Sequence, residues 1–175
     1  DFRKLSWKAP AGSVLEGKNT YIDTATGAAL PEYASLKFRP GSGNMSDFNV
    51  GSACSYPMMR VEEMYFIEAE AAAQQNPAQG VNLLNDFMSN YRDPQYKCTK
   101  SSKEDVVKEI VFQKRVELWG EGQSFFDIKR LNLPVTRGYA GTLHHTIGRF
   151  NTTTRPAWMN FCIVRSEGNN NTALV

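Results

Sequence analysis

The chain has 175 residues, enough for one domain with a real core, since a domain of about 150 residues buries about 70% of its unfolded surface. Its 41% hydrophobic and 22% charged content are ordinary for a globular chain. A formal charge of +2 with a pI of 8.4 is too mild for a nucleic-acid footprint, so no nucleic-acid partner is expected. No apolar run reaches the roughly 18 residues of a membrane span. Neither an initiating Met nor a leader pattern stands at Asp1, so an excised or processed piece is expected. Cys54, Cys98 and Cys162 lack metal-ligand spacing and leave open one disulfide with a free thiol or three free thiols.

Residues 1–57 are rich in Gly, Ser, Thr, Asn and Pro, and read as a loop-dominated segment with Trp7, Tyr21, Tyr33 and Phe38 set into it. Short strands are expected at 21–23 and 35–39. The character changes at Met58, after which no Gly or Pro occurs up to Gln75. Arg60, Met64, Ile67 and Ala71 follow the helical period and are expected to face inward. Asn76 then suits an N-cap, Pro77 the first helical position and Gln79 a capping box. A second helix should run to about Tyr91, with Val81, Leu84 and Met88 on one face and Leu83 and Phe87 beside it. So short a turn between the two makes an αα-hairpin.

A polar loop over 92–101 precedes Ser101 and Glu104, which read as a second capping box. The helix it opens should reach Gly120 or Gly122, a length of roughly 30 Å at 1.5 Å per residue. Val107, Ile110, Val111, Lys114 and Leu118 mark its inner stripe, and Glu104 and Lys108 form an outward i,i+4 pair. Ser124–Leu131 adds a short helix. Beyond Pro134 the chain is loop-rich again, with a strand expected over Trp158–Val164 and a polar, mobile tail over 169–172.

The densest information lies in Gln113–Arg130, where Lys114, Arg115, Glu117, Glu121, Asp127, Lys129 and Arg130 are interleaved with Trp119, Phe125 and Phe126. Charges among so many aromatics imply a partly buried, paired set. Glu117 and Glu121 stand at i,i+4, a spacing that also suits the two carboxyl groups of a retaining glycosidase. The favoured reading is structural: the two are neutralised by Arg115, Arg130 or Arg60, with Arg60, Glu63 and Glu70 as a companion set. His144 and His145 lack a third ligand and read as a loop pair without a metal. No cofactor is expected, Gly-x-Ser-x-Gly is absent, and residues 40–44 lack the lysine of a phosphate loop. Loop aromatics offer flat faces on which sugar rings stack, and Trp7, Tyr21, Tyr33, Tyr139 and Trp158 are the candidate ligand-binding residues, with Tyr56 among the same loop aromatics.

Two blocks in this order resemble the C-terminal part of the SusD/RagB family. Arg60, Glu63, Ala69, Glu70 and Ala71, followed by Leu84 and Asn85, are similar to one family helix pair. Lys114, Arg115, Glu117, Leu118, Glu121, Gly122, Asp127 and Arg130 are similar to the other block. Arg130–Asn132, Arg137–Gly141 and Trp158 onward resemble one subgroup's continuation. The likeness covers about 35–175, with Gln113, Ser124 and Arg165 standing where the family usually has Glu, Arg and Pro.

The resemblance implies a mainly α fold of tetratricopeptide-like helical hairpins with long irregular loops and little β-strand. Within it, 1–57 and 134–175 would be loop-rich segments around a helical scaffold over 58–133, all one fragment of a larger domain. It further implies a non-enzymatic glycan-binding protein of the bacterial outer-membrane surface. Such a protein is held by an N-terminal lipid anchor absent from this chain, and passes oligosaccharide to a SusC-like TonB-dependent transporter. Motif residues in the family are scaffold, so the resemblance assigns no sugar contact. A protein-binding helical-repeat module and a glycoside hydrolase remain the alternatives.

Overall fold

The computed structural model describes residues 1–14, 16, 32–35, 37–38, 54–160 and the backbone of 165–170. The expected strand at 21–23, the turn at 40–44, Tyr21 and Cys162 lie outside them. The chain divides into two compact units, Asp1–Glu121 and Gly122–Val175. It is mainly helical, as expected, and among the described residues β pairing is confined to isolated bridges, Trp7 with Ser35 and Thr136 with Asn151.

The first unit is built on three helices: α1 (Val61–Gln75), α2 (Pro77–Tyr91) and α3 (Lys103–Glu117). One residue joins α1 to α2. The Asn76 N–H donates to the Ala72 carbonyl at 2.7 Å and ends α1, while its side-chain oxygen accepts from the Ala78 N–H at 3.1 Å and starts α2. Pro77 fills the first helical position without loss, because that N–H has no intrahelical partner. The sequence-level capping box is therefore half right, since Ala72 rather than the Gln79 side chain takes the Asn76 N–H.

The hairpin closes on a different face of α1 from the one expected. Phe66, Ala69, Glu70 and Ala73 are buried, while Met64 and Ile67 are 46% and 45% exposed and Ala71 is exposed too. The reason lies in α2. At Gly80 an added Cβ would stand 2.4 Å from Ala73 Cβ and 2.9 Å from the Ala69 carbonyl oxygen. Only small residues allow the two backbones so close, so the Ala69–Ala73 stripe wins over the larger side chains beside it. Phe66 then meets Phe87 edge-on at 5.1 Å, and Leu84 and Met88 complete the α2 face as expected.

The third helix adds Val106 and Ile110 to this core. Its cap is one residue later than the sequence suggested: Ser102 Oγ accepts from the Asp105 N–H at 3.1 Å and donates to Asp105 Oδ2 at 2.7 Å. Glu104 is thereby left for Lys108, the expected outward pair. The inner stripe shifts with the cap, from Val107 and Val111 to Val106 and Gln113, while Ile110, Lys114 and Leu118 stay buried. The polar loop before α3 is latched by Asn85, whose side-chain oxygen accepts from the Cys98 N–H at 2.7 Å. The helix stops at Glu117, short of Gly120. Gly120 has a φ of +77°, and an added Cβ there would meet Phe38 at 2.3 Å.

The second unit opens with α4 (Gln123–Arg130), close to the expected short helix. The expected strand from Trp158 is not formed at its start. Pro156 precedes a 3-10 turn over Ala157–Met159, closed by the Met159 N–H on the Pro156 carbonyl at 3.1 Å. Asn169 and Asn170, expected in a mobile tail, end α5 (Arg165–Asn170), where Asn170 donates to the Ser166 carbonyl.

Gly80→Ala should destabilise the chain even though alanine is the better helix former by about 1 kcal/mol. The clash with Ala73 and Ala69 is expected to cost more than that gain, for a net loss of about 1–2 kcal/mol in urea unfolding. A stabilised variant would show that the hairpin does not rely on this close approach.

Candidate functional site

The end of α3 is held by charge. Glu117 and Glu121 have side chains only 5% exposed, so each carboxylate must be paired. Arg92, just past α2, grips Glu117 with both edges of its guanidinium: Nε donates to Oε2 at 2.7 Å and Nη2 to Oε1 at 2.9 Å. Arg60, just before α1, donates to Glu117 Oε1 at 3.1 Å and to Glu121 Oε1 at 3.0 Å. Glu62 bridges the two arginines, 3.3 Å from Arg60 and 3.0 Å from Arg92.

The terminal carbonyls of the helix are satisfied as well. Arg60 Nη2 donates to the Glu117 carbonyl at 2.8 Å, Lys37 Nζ to the Trp119 carbonyl at 2.8 Å, and the Tyr56 hydroxyl to the Gly120 carbonyl. Lys37 also pairs with Glu121.

Of the cations expected beside Glu117 and Glu121, Arg60 is in place. Arg130 pairs with Asp127 at 2.7 Å within the second unit, and Arg115 lies over the Phe112 ring at 5.8 Å. Arg92 and Lys37 were not anticipated, because both lie in segments without periodicity. Glu62, not Glu63, is the α1 carboxylate between the two arginines.

Burial alone would push the Glu117 carboxyl up. The hydrogen bonds and charge of Arg92, then of Arg60, outweigh it and hold the group below the ordinary carboxylate range. Arg92 is correspondingly held more basic, chiefly by its hydrogen bond to Glu117. A general acid needs the opposite shift, so Glu117 is unsuited to protonating a leaving group.

A cleft of about 650 Å³ opens on another side of α3, within the range of small-ligand sites. Phe112, Val116 and Trp119 recur at helical spacing and line it, forming a second apolar stripe that the core does not use. That stripe is visible in the sequence, but core periodicity hides it. A 3-10 turn over Phe2–Ser6 forms the facing wall. Arg3 anchors this wall, donating to Gln113 Oε1 at 2.7 Å, and brings Trp7 edge-on to Trp119 at 5.1 Å. Gln113 in turn donates to Glu109, which also accepts from the Tyr96 hydroxyl at 2.8 Å.

The candidate aromatics separate into two neighbourhoods. Trp7 lines the cleft, and Tyr33 is tied to the residue after it: its N–H donates to the Lys8 carbonyl at 2.9 Å. Tyr33 is 67% exposed with a φ of +62°, a rare conformation for a bulky residue. Tyr139 and Trp158 belong to the second unit and are 58% and 59% exposed. Trp158 meets Phe150 edge-on at 6.2 Å, and Arg137 lies over the other ring at 5.3 Å. Asn151 holds this loop by accepting from the Arg137 and Gly138 N–H groups. Sequence reasoning missed Trp119 and Phe112 as site residues. His145 accepts from the Ile147 N–H, and no metal-binding group of His, Cys, Asp and Glu occurs among the described residues.

Arg92→Met should cost about 2–3 kcal/mol, because it strips the bidentate partner from a buried carboxylate while Arg60 remains. The same site sets an acid limit. Glu117 is more acidic folded than unfolded, so its contribution is complete above about pH 4.3 and drains as pH falls through the depressed folded value. Chemical denaturation at pH 7, 5, 4 and 3 should show the difference between wild type and Arg92→Met shrinking as pH falls, because the carboxyl that has lost Arg92 takes up its proton before the wild-type group does. A difference that is flat with pH would exclude the pair as its source.

Comparison with known proteins follows the same lines. The model of the SusD family matches residues 10–170, beginning earlier than the sequence blocks alone indicate. A solved structure, a SusD-like carbohydrate binding protein from Bacteroides vulgatus ATCC 8482, matches with a TM-score of 0.54 and 27% identity. The match covers 73% of this chain and 31% of that one, so the chain spans under a third of that relative's length. No curated protein matches. With the helical hairpin, the charged end of α3 and a family match over nearly its whole length, the chain belongs to the SusD family.

Proposed function

We propose that the chain is part of a non-enzymatic glycan-binding protein, and that the cleft beside α3 is where it contacts sugar. The observation that carries this is the Trp7–Trp119 pair at the wall of a cleft that also holds arginine, lysine and serine side chains. Sugar rings have apolar C–H faces for indole and hydroxyls for polar neighbours, and this lining supplies both. Family membership and the likeness to a carbohydrate binding protein from Bacteroides vulgatus support the same reading. Trp158 with Phe150 and Arg137, beside Tyr139, forms a second surface of similar composition on the other unit.

The absence of catalysis is part of the proposal. Its support is that Glu117 and Glu121 are already spent on Arg60, Arg92 and Lys37, which leaves neither free for acid–base work. The wider role follows family resemblance: capture of oligosaccharide at the outer-membrane surface by a lipid-anchored protein and delivery to a SusC-like TonB-dependent transporter. The outward face of α1, with Val61, Met64 and Ile67 exposed, and the exposed Met58 and Met59 just before it favour protein docking as a second activity of the same molecule.

Trp119→Ala should lower affinity for a bound oligosaccharide about 10-fold with helical content unchanged, since it removes one stacking wall and ring contacts to Trp7 and Phe38, outside the helical core. Titration of the full-length protein against a panel of host and plant glycans, followed by tryptophan fluorescence, measures it. If no glycan binds while the protein still co-purifies with a transporter, the docking activity stands and glycan binding falls.

A further inference from the structure

The cleft beside α3 has a charge imbalance that the protein's own pairing does not consume. Its lining sets Arg3, Lys4, Lys37, Arg60 and Arg115 against the carboxylates of Asp1 and Glu117. Arg3 is committed to Asp1 at 2.7 Å and to Gln113. Arg60 is committed to Glu117 and Glu121, and Lys37 to Glu121 and two carbonyls. Both lining carboxylates are consumed in the same exchange, Glu117 by Arg92 as well. Lys4 and Arg115 are different. Both side chains are exposed, and no ion pair to either occurs among the described residues. The contact of Arg115 with the Phe112 ring uses none of its N–H donors.

We propose that this cleft selects an anionic sugar, with a ring against Trp7 and Trp119 and its carboxylate or sulfate taken by Arg115 and Lys4. The inference rests on the glycan-binding reading above and narrows it to a substrate class. A guanidinium matches the two oxygens of a carboxylate or sulfate in one plane, and an ammonium adds a point charge beside it. A neutral sugar in the same place offers both cations hydroxyl acceptors but no opposite charge, so it replaces less of the hydration they lose and the cleft discriminates by penalty as well as by attraction.

The test is calorimetric titration of the full-length chain with hexagalacturonate, its methyl ester, a chondroitin sulfate hexasaccharide and maltohexaose. At low salt at least one anionic sugar should bind about 10-fold or more tighter than the methyl ester, with the gap narrowing as salt screens it. Lys4→Gln combined with Arg115→Gln should erase that preference at an unchanged melting temperature. Tighter binding of the sulfated sugar assigns sulfate, and tighter binding of the uronate assigns carboxylate. Equal binding of acid and ester, or no effect of the double variant on the anionic sugar, overturns the charge selection while leaving glycan binding intact. No binding across the panel overturns the glycan-binding reading and this inference with it.

Discussion

Glu117 is a carboxylate taken almost wholly out of water, and its environment has to supply the solvation it has lost. An isolated ion in such a place would cost several kcal/mol, and it is tolerated here because Arg92 binds it bidentately and Arg60 adds a third contact. The three residues come from the end of α2, the approach to α1 and the end of α3. Satisfying one carboxylate therefore sets the mutual positions of three helices. Buried ion pairs of this kind seldom add net stability over a hydrophobic replacement. What this one provides is a geometry in which few alternatives are equally paired.

That geometry separates scaffold from site on a single helix. One face of α3 carries Val106, Ile110 and Glu117 into the core and its charged margin. Another carries Phe112 and Val116, with Trp119 just past its end, to the cleft. Arg60 satisfies the Glu117 carbonyl that ends the helix, and Lys37 and Tyr56 satisfy the Trp119 and Gly120 carbonyls beyond it, so Trp119 is held at a defined point. Arg3 then lays the N-terminal turn along the opposite wall and Trp7 against Trp119. The carboxylates that resemble a glycosidase pair in spacing are the ones that anchor the end of the helix beside the cleft.

Local signals survived folding where one residue decides the outcome alone. Asn76 and Pro77 placed the hairpin turn correctly, since a cap and a missing N–H act within a single turn of helix. Ser101 against Ser102 was a choice between equivalent caps, and at Ser102 the hydroxyl both accepts from the Asp105 N–H and donates to its carboxylate. The inner face of α1 was misjudged for a different reason. Periodicity ranks residues by hydrophobicity, whereas the hairpin ranked them by how closely Gly80 could approach Ala69 and Ala73.

The same division runs through function. Sequence by itself determined the family, through two charged helical blocks in fixed order, and determined that Glu117 and Glu121 need buried partners. It determined the supply of loop aromatics too, because composition is read without coordinates. Only the tertiary structure decided that Arg92 and Lys37 complete the pairing, and that Trp7 meets Trp119 while Tyr139 and Trp158 belong to a separate unit. It alone decided that Lys4 and Arg115 share a cleft, with no ion pair to either among the described residues. These facts join residues 25 to about 110 positions apart, and contacts at such separation depend on how helices pack, a property that no local pattern of side chains encodes.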